Sequence, residues 1–456
     1  MSTENSSVWD AIVVGGGPAG SAAAIRLATA GRRVVVLERE RFPRFHIGES
    51  LLPESAALFE RLGVASALER AGFVAKRGAV FAFESGESSG RIGFSRSLQS
   101  TAPSTFQVER ARFDHILLGA ARERGAHVRQ PARAVEVGLE EEGVRVMVER
   151  AGGGQERLRG RYLVDASGRF GFLAKRLELR RPDSTLQNVA LYAHYRGWRW
   201  PASVPTGDIQ VVSRRDLGWA WIIPLSEQPP GSASPRTSAG VVVSREQWRR
   251  RPAHDPGALL DELLAALPAV AAQVAGAERI GGARVEADFS YGAARYAGER
   301  WLLAGDAGSF LDPVFSTGVL LALQAGEEAG AAVDAALADP ARAGRAFGSY
   351  DAAQRHRYEL FGRFVRAFYD PAVRDLLCRP AARWRMVEAL ASVLAGHARL
   401  SWPVRWRIAL FFALARAQRR VALAPRLHDR AREGGGGRGP RPAGTSTAGD
   451  TGRVLP

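Results

Sequence analysis

Lysine is nearly absent from this chain: of its 63 basic residues only Lys76 and Lys175 are lysines, and the rest are arginines. An amine can lose its proton and react, whereas a guanidinium cannot. Two surviving lysines are therefore either drift in a GC-rich coding sequence or positions where chemistry needs an amine. Cysteine is scarcer still. The single Cys378 excludes an internal disulfide framework and a cysteine-based metal site, and the eight histidines show no metal-ligand spacing, so no metal site is expected. Long apolar runs are also missing. Nothing approaches the roughly 18 residues of a membrane span, and the polar start Met1 to Asp10 lacks the basic-then-apolar pattern of a signal peptide. These absences lead us to expect a cytoplasmic protein with no membrane span.

The chain has 456 residues, 46% of them apolar, enough for two intimately connected domains. Its formal net charge is +16, and from Ser401 onward eleven arginines face three acids, which supplies half of that surplus. No recognised nucleic-acid motif accompanies the charge, so no nucleic-acid partner is expected. A basic surface can instead steer an acidic protein or a phosphorylated carrier toward an active site.

The first forty residues form a pattern. Asp10 to Gly15 reads as a short buried strand, Gly16 to Ala30 as a small-residue helix, and Arg33 to Arg39 as a second strand. Gly15, Gly17 and Gly20 have the GxGxxG spacing, with Ala19 beside the last of them, and Glu38 ends the second strand. Glycines there let the backbone approach a pyrophosphate at a helix N-terminus, and the acid can bind a ribose hydroxyl. This unit alone does not choose between NAD and FAD.

Two later segments do. RYLVDASG (161–168) and RWLLAGDAG (300–308) each read as a strand ending in a small-residue turn, the second placing Asp306 to meet a ribityl hydroxyl. With these the chain resembles the FAD-dependent monooxygenase and halogenase superfamily. The resemblance implies an α/β fold, the glutathione-reductase-type FAD-binding (Rossmann-like) fold, and it matches the family's arginine near FAD at Arg110 of VERARFD (108–114). Three further segments narrow it to the flavin-dependent halogenases: FPRFHIGESLLP (42–53), WAWIIP (219–224) matching WxWxIP, and FLDPVFSTG (310–318) matching FxxPxxSxG.

What the resemblance implies is specific. FAD, used as FADH2, is held by Gly15, Gly17, Ala19, Gly20, Glu38, Arg110, Asp306 and Gly318, with Glu49 and Ser50 near the flavin. Asp288, in ADFSY (287–291), precedes the return strand and is expected to approach the flavin ring. A halide, chloride or bromide, sits near Ser316, Thr317 and Gly318. Trp219, Trp221 and Pro224 shield the flavin tunnel from substrate. Lys76 lies where halogenases carry their essential lysine. In the family, a flavin C4a-hydroperoxide oxidises halide to hypohalous acid, which a lysine then hydrogen-bonds or carries as a haloamine. Lys175 reads as an exposed helix residue without function. Phe315 stands where enzymes acting on free tryptophan usually have Glu. The branch acting on phenols, pyrroles and carrier-tethered aryl groups is therefore the better match.

Taken alone, each segment has a plainer explanation. The two tryptophans fit one face of a buried strand, Pro313 to Gly318 a turn into a helix, and Glu49 a loop carboxylate. Residues 1–77, 108–185 and 285–340 are expected to form the FAD-binding domain, and 78–107 and 186–284 an inserted β-sheet substrate domain. A helical C-terminal region is expected over 341–433, with an aromatic stripe from Phe347 to Tyr369, and a disordered tail over 434–456. The expected activity is chlorination of an electron-rich aromatic substrate (phenol, pyrrole or indole, free or on a carrier protein) in natural-product biosynthesis. A separate flavin reductase would supply FADH2, since no further nucleotide motif is visible. The alternatives are an FAD-dependent aromatic monooxygenase or reductase of the same fold, and a non-catalytic carrier-binding module.

Overall fold

In a computed structural model of the chain, residues 8–86, 89–226, 236–251, 255–287, 290–378 and 383–427 are described. Asp288 and the expected tail 434–456 lie outside the described residues. Ala11, Ile12, Val13 and Val14 are all buried, as a strand covered on both faces requires. Their strand, Trp9–Val14, pairs in parallel with Val34–Leu37 on one side and with the second half of Gln155–Asp165 on the other. His127–Arg129 and Trp301–Leu303 extend the parallel array at its two ends. The first half of Gln155–Asp165 pairs antiparallel with Gly143–Arg150, which pairs with Ala132–Glu140, so one long strand joins the parallel and antiparallel parts of the sheet. Together with Ala297–Gly298 these make a sheet of eight strands.

The helix after the first strand runs Pro18–Thr29, starting two residues later than expected because Gly17 is still extended and Pro18 is pre-set for the first turn. It crosses the long helix Gly318–Ala338 at backbone contact. A Cβ on Gly326 would fall on the carbonyl of Ala19, so glycine on one helix and alanine on the other permit the approach.

A second sheet has seven strands in the order Glu278–Ala287, Asn188–Arg196, Thr237–Ser244, Trp219–Pro224, Ile209–Ser213, Gly78–Phe83 and Ser89–Gly93. All its pairings are antiparallel except that of Ile209–Ser213 with Gly78–Phe83. Period-two alternation divides its residues between two cores. Ala220 and Ile222 pack with Leu259, Leu260, Leu263 and Val270 of the helices Pro256–Ala265 and Pro268–Val274. Trp219, Trp221 and Ile223 face the other way, into a core shared with Phe315 of the turn Pro313–Phe315 and with Phe364, Phe368 and Leu390 from the C-terminal helices.

Those helices are Ala343–Phe368, Pro371–Cys378, Met386–Leu394 and Trp402–Arg420. The aromatic stripe of the first serves both sheets. Phe347 and Tyr350 join the core of the eight-stranded sheet, and Phe361, Phe364 and Phe368 that of the seven-stranded one. No single described helix is long and apolar enough to cross a membrane. Finally, Val74–Lys76 and Thr105–Gln107 form a separate two-stranded ladder, one residue ahead of Gly78–Phe83.

Candidate active site

The glycine turn combines close packing with open space. Gly15 has φ +103° and a Cβ there would strike the Ala166 carbonyl, while a Cβ on Gly20 would strike the carbonyl of Gly15. Neither position admits a side chain. Gly17, by contrast, has nothing nearer to its missing Cβ than Arg44 Nη2 at 3.5 Å, which leaves the helix N-terminus approachable by a ligand. Glu38 is buried, and its carboxylate accepts the Gly16 N–H at 2.7 Å and the Glu40 N–H at 2.8 Å, fixing the turn from below. Ala19 sits at the crossing with Gly326 and Gly305, so it permits packing.

Opposite this turn, Gly305 has φ +61° and Asp306 follows it. Burial pushes the Asp306 carboxyl up to about 6 against the opposing pull of Arg110, Arg169 and Arg180. No hydrogen bond to that carboxyl comes from the described residues. A missing Cβ at Gly318 meets nothing within 4 Å, at the start of a 21-residue helix whose preceding Thr317 is buried and whose Ser316 is left-handed, with φ +59°. Asp306, Thr317 and Gly318 border one cleft. An approachable turn at Gly17, an unpaired carboxyl at Asp306 and an open helix start at Gly318 fit a long dinucleotide such as FAD.

Arg110 has a different geometry from a free ligand. Its guanidinium donates to both oxygens of Asp114, at 2.7 and 2.9 Å, and to the Ile47 carbonyl at 2.7 Å. Asp114 also accepts from Arg44 at 3.0 Å, and the arginines hold its carboxyl below the usual range despite burial. This buried ion pair ties the helix Arg110–Glu123 to the loop carrying Gly48, Glu49 and Ser50. Glu49 is buried. Its Oε1 lies 2.8 Å from His194 Nε2, and its Oε2 has no partner among the described residues.

Lys76 is 1% exposed. Its Nζ donates to the Leu51 carbonyl at 2.9 Å and lies 5.4 Å from the centre of the Phe94 ring. No carboxylate pairs directly with it among the described residues. Asp208 is buried nearby, but it is held by Arg91 at 2.7 Å and by the Arg77 N–H at 3.2 Å. Burial brings the Lys76 amine down to about 7, with Asp208 as the weaker opposing influence. Lys175 is exposed at the end of the short helix Phe172–Arg176.

Trp219 and Trp221 lie on one face of their strand with ring centres 5.6 Å apart, and Tyr192 lies 5.9 Å from Trp221. Gly240, directly opposite Trp221, makes room for the indole, since a Cβ there would overlap it. Pro224 ends the strand opposite Thr237. Phe315 is buried among Phe81 and Phe368, with centres 6.4 and 5.8 Å away.

The anchors of this wall were not evident from sequence. Trp219 Nε1 donates to the Tyr369 hydroxyl at 3.0 Å, which donates to Asp312 at 2.6 Å, and Asn188 Nδ2 donates to both. Burial pushes the Asp312 carboxyl up to about 6. The fully buried Arg374 donates to the carbonyls of Phe368, Arg214, Leu217 and Gly218, clamping a C-terminal helix to the start of the tryptophan strand.

A sheet with a glycine-lined nucleotide turn, an opposing Gly-Asp turn and an enclosed second sheet defines an FAD-binding oxidoreductase. The family model described as FAD binding domain matches residues 9–359. A flavin-dependent halogenase of Armillaria mellea, armH1, is 32% identical over 379 residues, covering 78% of this chain and 71% of that protein. A 1H-pyrrole-2-carbonyl-(peptidyl-carrier protein) brominase of Pseudoalteromonas luteoviolacea is 30% identical over 332 residues, covering 72% of this chain and 78% of that one. Among solved structures, the myxobacterial chondrochloren halogenase CndH superposes with a TM-score of 0.73 at 32% identity, covering 90% of this chain and 96% of that one. The chain belongs to the flavin-dependent halogenase family and is an FAD-dependent halogenating oxidoreductase.

Proposed function

We propose that this enzyme chlorinates an electron-rich aromatic ring, a phenol, pyrrole or indole, through hypohalous acid presented by Lys76. The observation that carries the reading is Lys76 itself: a fully buried amine, near neutrality in its titration, with no direct carboxylate partner among the described residues and with the Phe94 ring centre 5.4 Å away. Bound FAD, once reduced, supplies the chemistry by which oxygen turns halide into hypohalous acid. Gly15, Gly17, Ala19, Gly20, Glu38, Asp306 and Gly318 hold that cofactor. Arg110, through Asp114, fixes the loop of Glu49 and Ser50 against it. Ser316, Thr317 and Gly318 offer the halide its station, chloride being the expected ion and bromide the alternative.

At the ring, a new carbon–halogen bond forms from the aromatic π electrons while the oxygen–halogen bond breaks with its pair on oxygen. That oxygen takes a proton from the Lys76 ammonium and leaves as water. The proton lost from the ring restores the ammonium. An amine near 7 is populated in both forms at neutral pH, as proton transfer in both directions requires. Trp219, Trp221 and Pro224 separate substrate from flavin, and Phe315 replaces an acid with an apolar surface, which suits a neutral aryl group.

A flavin reductase is the partner supplying FADH2, which places the enzyme in the cytoplasm with its nicotinamide pool. The similarity to a carrier-protein pyrrole halogenase and the arginine-rich C-terminal region support a carrier-tethered substrate. Replacing Lys76 by Ala or Arg tests the mechanism. Both variants should bind FAD, consume oxygen and release hypohalous acid without halogenating substrate. Normal product from either would remove the amine from the reaction.

A further inference from the structure

Around Lys76 the protein leaves hydrogen-bonding capacity unused. Lys76 stands directly opposite Thr105, and Ser50 directly opposite Gln107. Opposed residues of an antiparallel pair share a face, and so do residues two apart on one strand. Ser50, Lys76, Thr105 and Gln107 therefore project to the same side, and all four are buried. Ser50 Oγ, Thr105 Oγ1 and Gln107 Oε1 have no hydrogen-bond partner among the described residues. Gln107 Nε2 donates to the Gly207 carbonyl at 2.9 Å, which fixes the amide and leaves Oε1 as its free acceptor. Lys76 uses one of its N–H groups on Leu51.

Three idle polar atoms and an amine on one buried face make a site for a guest of very few atoms. The guest must accept from Lys76 and donate to Gln107 Oε1. A halide ion cannot donate, whereas hypohalous acid does both through its oxygen. Resting on the halogenation reading, we propose that Ser50, Thr105 and Gln107 join Lys76 in binding hypohalous acid by its oxygen end, leaving the halogen end for the aromatic ring. The three side chains are positioning residues: they hold the acid while Lys76 moves the proton.

Thr105→Val, which keeps the shape and removes the hydroxyl, is the direct test, and Ser50→Ala is the second variant. Each is purified with FAD and supplied with a flavin reductase, NADH, oxygen, chloride and an aromatic substrate that the wild type halogenates. Halogenated product per oxygen consumed is read beside hypohalous acid trapped in solution. The chamber predicts that this ratio falls by about tenfold, the weight of one hydrogen bond to a reacting group, and that trapped hypohalous acid rises. A ratio equal to wild type in both variants, with flavin bound, would mean that the chamber holds water alone. A wild type giving no halogenated product on any substrate would take down the functional reading and this site together.

Discussion

Replacing Lys76 by Met should stabilise the protein in a pH-dependent way, because the methionine fills similar space without a charge. The folded-state amine is near 7, well below its ordinary 10.5, because burial disfavours the ammonium. Below about pH 7 the folded wild type carries the full cost of a buried cation, roughly 5 kcal/mol from that displacement. Between about 7 and 10.5 the folded form has released its proton while the unfolded chain still holds one, so wild-type stability rises with pH. Methionine has no such term. The advantage of Lys76→Met over wild type should therefore shrink by about 3 kcal/mol between about pH 6 and about pH 9. Urea unfolding of both proteins at the two pH values, with FAD saturating, measures the difference, and groups common to both cancel. A constant offset across that range would show that the amine titrates like a solvated lysine, and the argument for a proton-shuttling Lys76 would fail with it.

Two other substitutions probe the frame around the site. Gly20→Ala should give protein with little or no FAD after purification, since its Cβ would overlap the Gly15 carbonyl; normal flavin absorbance per protein would refute the packing argument. Tyr369→Phe removes the acceptor used by Trp219 and Asn188 and the donor used by Asp312, so unfolding free energy should fall by about 2–4 kcal/mol with an altered tryptophan emission. A loss below about 0.5 kcal/mol would mean that the network is solvated.

The parts of the molecule legible from sequence are those whose physics is local. The strand, the glycine turn, the helix and Glu38 lie within thirty residues of one another, and each fixes its neighbour's conformation. Lys76 stood out through composition, and its burial depends on the strand Val74–Lys76 running into Gly78–Phe83. What stayed hidden needs distant segments to meet. Thr105 and Gln107 acquire meaning only once their strand pairs with that of Lys76. Arg374 reads as an ordinary helix arginine until four backbone carbonyls close around it. Asn188, Asp312 and Tyr369 come from a strand, a turn and the end of a helix. Arg110 reads as a cofactor contact from its motif, yet its guanidinium is bound to Asp114 four residues on, an i to i+4 ion pair that the sequence does contain.

The mass of the product separates halogenation from hydroxylation most directly. Purified enzyme is given a flavin reductase, FAD, NADH, oxygen and chloride, and is offered phenols, pyrroles and indoles, free and bound to a carrier protein. Halogenation through Lys76 gives a product with the chlorine isotope pair, formed by wild type and absent from Lys76→Ala. A product that instead gains one oxygen, whether or not halide is present, would contradict it.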